Sequence, residues 1–133
     1  MIFASPMPKP TTFFGILVVL ASGLACHTIV EDDLIRQYGF ERDSVRVELH
    51  INRDHTYTET FANGGKETQV NGSWQYTSGS QNLMVYNVWV PVVPLGSEHV
   101  KLEKTNFGFV VDPCGHTLCL HIDDDNELQL VGK

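Results

Sequence analysis

From Val45 onward, apolar and polar residues take turns. Val45, Val47, Leu49 and Ile51 alternate with Arg46, Glu48 and His50. Successive side chains of a strand point to opposite faces, so a repeat of two marks a strand with one buried face. The run "TYTETF" sets Thr56, Thr58 and Thr60 against Tyr57, Glu59 and Phe61, and "TQVNGSWQYT" puts Trp74 and Tyr76 on one face. "NLMVYNVWV" is apolar on both faces, which predicts a strand covered on both sides and stopped by Pro91 and Pro94. The runs "EHVKLEK", "FGFVVD", "TLCLHI" and "ELQLVG" complete the series.

Turn residues separate these runs. "NRDH" follows the first, and Asn63-Gly64 supplies the positive φ angles of a tight hairpin. "TSGSQN" is another turn, and "DDDNE" reads as a solvated acidic one, because it lacks the spaced ligands of a calcium loop. About eight short strands with no long helix between them predict an all-β fold. An antiparallel meander results, closed as a small barrel or folded as a sandwich. Residues 27–44 read as a lead-in, with Ile29, Leu34 and Ile35 at helical spacing and Gly39 ending a short helix.

The front of the chain follows a different pattern. Residues 13–25, "FFGILVVLASGLA", carry no charge. As a helix they would rise about 20 Å, short of a hydrocarbon core of about 30 Å but suited to a secretory signal peptide. The organisation expected is a signal segment over 1–25, a tether and lead-in over 26–44 and a β-barrel-like domain over 45–133. "SGLAC" resembles the lipobox of bacterial lipoproteins, with Ala25 before Cys26 and Gly23 where that pattern has Leu. The resemblance implies lipid on Cys26. Cleavage without lipid, or an uncleaved anchor over the uncharged stretch from Thr11 to Val30, are the other two fates. All three place the folded part outside the cytoplasm. Because His27 rather than Asp follows the cysteine, resemblance to sorted lipoproteins implies an outer membrane facing the periplasm.

Charge narrows the partners. All 16 acidic residues follow Cys26, against eight Lys and Arg, leaving a net charge of −8. Such a surface repels phosphate backbones, so no nucleic-acid partner is expected. It also gives no polybasic attraction to a membrane, so membrane attachment rests on the N-terminal lipid.

The succession "VRVELHINRDHTYTETF", "GKETQVNGSWQY" and "NLMVYNVWV" resembles small lipocalin-like or META-like β proteins of bacterial envelopes. Gly72-Ser73-Trp74 and the turn at Asn52–His55 carry the likeness, with Asp54-His55 where the family usually has Asp-Gly. It implies a fold and little about activity.

Candidate chemistry is sparse. Cys114, His116, Cys119 and His121 offer donors that suit zinc or copper if the thiols stay reduced. In an oxidising compartment Cys114 and Cys119 join as a disulfide instead, which is the favoured reading. No Gly-x-Ser-x-Gly elbow and no phosphate-cradling loop is present, and no cofactor or catalytic residue is implied. "VYNVWVPVVPLG" is apolar, aromatic and proline-stopped. Tyr86 and Trp89 there, with Trp74, are the expected contacts for a small apolar ligand or an envelope protein partner. The function expected is therefore non-catalytic binding, with a periplasmic metal-binding protein using the 114–121 cluster, or a purely structural module, as the alternatives.

Overall fold

The computed structural model describes residues 28–123 and 128–133. Eight antiparallel strands follow one another in a meander that closes on itself. They are β1 (Gln37–Arg42), β2 (Val45–Ile51), β3 (Thr56–Asn63) and β4 (Lys66–Thr77). After them come β5 (Asn82–Val92), β6 (Lys101–Cys114), β7 (Thr117–His121) and β8 (Gln129–Gly132). The barrel closes where β1 meets β8, pairing Tyr38 with Gly132 and Gly39 with Val131. No helix among the described residues is long and apolar enough to cross a membrane.

The lead-in departs from expectation. The helical spacing yields only one turn, α1 (Glu31–Leu34), and Gly39 lies inside β1 instead of ending a helix. Gln37–Arg42 also alternates, and it pairs with β2 along its whole length, from Gln37↔His50 to Arg42↔Val45. Ladder pairing outweighs the helical preference of so short a segment. The β body therefore begins at Gln37, not Val45. At the other end of the count, the "KLEK" of "EHVKLEK" and "FGFVVD" are two parts of the single strand β6. A bulge between Val85 and Val88 of β5 lets both strands stay paired across the junction.

Two turn details also differ. The hairpin after β3 turns on Gly64 and Gly65, at φ 70° and 94°, and pairs Asn63 with Lys66. Pro91 lies within β5 and does not stop it. Trp89, two residues earlier, aims its N–H away from β6, toward Glu59. Pro91 shares that direction, where no ladder donor is required.

Interior positions are filled by side chains, as an eight-stranded barrel allows. Trp74, Tyr38, Tyr57, Phe109, Leu49, Ile51, Leu83 and Leu120 are all fully buried. Leu34 of α1 and Ile29 before it close one end, and the Tyr38 hydroxyl donates to the Leu34 carbonyl at 3.0 Å. Cys114 and Cys119 are bonded to each other across the β6–β7 turn.

Candidate functional site

Three ladders of the barrel are incomplete: β8 covers only Tyr38 and Gly39 of β1, β7 covers only Val110–Cys114 of β6, and β4 and β5 part company over most of β4. β4 pairs with β3 over Lys66–Ser73 but with β5 only over Trp74–Thr77. Beyond Trp74 the two strands part, and among the described residues Lys66–Ser73 has no strand on its second edge. β5 keeps β6 on one side there and turns its free edge toward β3.

Side chains of β3 take the place of the missing ladder. Tyr57 passes beneath Gly72, where an added Cβ would sit 2.5 Å from the ring. Only glycine leaves room for it. The Tyr57 hydroxyl donates to the carbonyls of Tyr86 at 2.7 Å and Asn87 at 2.9 Å. Glu59, two residues on, accepts the Trp89 N–H through Oε1 at 2.9 Å. Phe61 completes the row against the Trp89 ring, with centroids 5.1 Å apart. Thus three successive inward positions of β3 hold the free edge of β5, and the β4 edge is left open.

Glu59 is the one buried charged residue of the described chain, at 0% exposure. Its neighbours in register are Leu49 on β2 and Val70 on β4, neither of which offers it a hydrogen bond. Oε2 has no hydrogen-bond partner among the described residues. Loss of solvent pushes the carboxyl up to about 7, against the smaller opposing pull of the Trp89 N–H. Burial, aided by the nearby Glu59 charge, pushes the Tyr57 hydroxyl up to about 12, so it stays a donor.

The expected contact residues separate into two groups. Tyr86 and Trp89 both lie on the diverging half of β5, beside the open seam. Trp74 lies elsewhere: it is 2% exposed, its Nε1 donates to the carbonyls of Asn52 and Thr56, and His55 stacks on it at 4.5 Å. It is core, not contact surface. Cys26 lies outside the described residues, as does most of the acidic turn at 123–127. His116 sits exposed in the β6–β7 turn, while His121 stands at the far end of β7 with Nε2 3.2 Å from Asp112. Among the described residues no three His, Cys, Asp or Glu side chains gather to hold a metal ion.

Sequence reasoning missed Tyr57 and Glu59. The signal was present, since Glu59 falls between Tyr57 and Phe61 on the apolar face of "TYTETF", where an acid is out of place. A cleft of about 340 Å³ indents the outer wall, over Gly39 and between Arg46, Glu48, Val131 and Lys133. It is separate from the seam. The chain matches no family model, no curated protein and no solved structure.

Proposed function

We propose that this protein is a non-catalytic, lipid-anchored module of a bacterial envelope that binds a protein partner by strand addition at the open edge of β4. One observation carries the reading. Thr68–Ser73 is a paired strand with no charge, no proline and no bulge, and no described strand pairs along its second edge. Soluble β proteins usually guard such an edge with one of those devices. An exposed edge of this kind accepts an extended segment through main-chain hydrogen bonds. Only Lys66 and Glu67, at the hairpin end, carry charge.

The packed interior favours a protein partner over a small apolar ligand held inside the barrel. Attachment through Cys26, with the barrel facing the periplasm, rests on the lipobox-like "SGLAC" and on the uncharged run before it. The eight-stranded meander is also the architecture that the resemblance to small lipocalin-like envelope proteins implies, although many families share it.

A photo-crosslinking residue at Gln69, expressed in the native envelope, tests the reading. A discrete protein adduct is expected from Gln69 and not from Val110, an exposed outward residue of β6. Equal adducts from both positions, or none from Gln69, refute it. Intact mass of the membrane-extracted protein reports lipid on Cys26 directly.

A further inference from the structure

We infer that the segment added to β4 carries a Lys or Arg side chain that enters the seam and pairs with Glu59. The inference rests on the strand-addition reading above and names the chemistry of the partner. Two independent features meet here: an open main-chain edge on β4, and on the neighbouring strand β3, in register with Val70, a buried carboxyl oxygen with no hydrogen-bond partner among the described residues.

The charge balance around Glu59 is one-sided. From β2 it meets Leu49, from β4 Val70, and from β5 the Trp89 N–H between Val88 and Val90. On β3 its neighbours along the face are Tyr57 and Phe61. The Tyr57 hydroxyl is spent on the two β5 carbonyls. No ion pair reaches Glu59 from any described residue. An acid in this setting is destabilised by burial, and a cation brought to it is held by a short, poorly screened attraction.

The spacing suits a long basic side chain. Strands in a sheet lie about 4.8 Å apart, so a strand beyond β4 runs about 10 Å from β3. Its inward residue opposite Val70 then faces Glu59 across that gap. The stem of a Lys or Arg covers most of this distance along apolar surface and brings its charge to the carboxyl. Phe61, the next inward residue of β3 after Glu59, packs against the Trp89 ring at 5.1 Å, so the surroundings of the carboxyl are apolar. A neutral or acidic residue at that position leaves Oε2 unpaired or adds a second buried negative charge.

The test uses the full chain in detergent and three blocked peptides of alternating Val and Thr, with Lys, Gln or Glu at the centre. Calorimetric titration should show the Lys peptide binding about tenfold or more tightly than the other two, the scale of a hydrogen bond to a buried charge. In Glu59→Gln the Lys advantage should vanish while binding of the Gln peptide is kept. Equal affinities for the three peptides in the wild type, or a Lys advantage that survives in Glu59→Gln, overturn the role of Glu59 and leave the edge reading standing. If none of the three binds, the edge reading falls and this inference with it.

Discussion

Replacing Glu59 by Gln should change how stability depends on pH. In the folded chain the Glu59 carboxyl is pushed up to about 7 by burial, against an ordinary value of 4.5. The folded state therefore holds this proton more tightly than the unfolded state. Its contribution is most favourable below pH 4.5, declines as pH rises from there to about 7, and is flat above that. A gap of about 2.5 pH units corresponds to about 3 kcal/mol at 1.4 kcal/mol per unit. Gln keeps an oxygen for the Trp89 N–H and cannot ionise. Its amide N–H groups, at the place of the unpartnered Oε2, cost about 1–3 kcal/mol at every pH. That constant cancels when two pH values are compared. Urea unfolding followed by tryptophan fluorescence, at about pH 4.5 and about pH 8, gives the difference. Relative to wild type, the variant should gain about 3 kcal/mol between the two conditions. Parallel pH profiles for the two proteins would show that Glu59 is not held in an apolar, unpaired setting, and would refute the reasoning.

Two further substitutions probe the parts that shape the seam. Gly72→Ala places a methyl group against the Tyr57 ring, which must shift and loosen its bonds to the Tyr86 and Asn87 carbonyls. A loss of about 1–3 kcal/mol in urea unfolding is expected, and an unchanged midpoint would contradict the close approach. Removing the bond between Cys114 and Cys119, by double substitution to Ser, should cost about 2 kcal/mol because the loop it closes is short. Retention of full stability in the double variant would show that the bond does not constrain the unfolded chain.

The barrel was legible in the sequence wherever one strand face met the core. Val45, Val47, Leu49 and Ile51 are all buried, as their alternation predicts. Legibility failed where pairing, not pattern, decided the outcome. The lead-in reads as helical because Ile29, Leu34 and Ile35 fit a helical spacing that Gly39 would end, yet Gln37–Arg42 pairs along its length with β2 and, at Tyr38 and Gly39, with β8. Pro91 looked like a stop because a proline removes a ladder donor, and the sequence does not say that this donor would face a free edge. The seam itself depends on which strand pairs with which over half its length, a property that periodicity cannot express. Trp74 and Trp89 read alike as strand aromatics available for contact. Tertiary contacts alone separate them: one is capped by His55 inside the core, the other stands at the edge beside Phe61. Glu59 was the readable clue, an acid on an inward face.

The open β4 edge is the claim on which the functional account stands, and amide hydrogen exchange measures it residue by residue. The two-residue hairpin fixes the alternation: the N–H groups of Lys66, Thr68, Val70 and Gly72 face β3, and those of Glu67, Gln69, Asn71 and Ser73 face outward. The account predicts slow exchange at Thr68 and Val70 and near-unprotected exchange at Gln69 and Asn71, with the latter pair becoming protected when the Lys-bearing peptide is added. Equal, strong protection at all of these positions in the free protein would mean that the edge is already covered, and would contradict it.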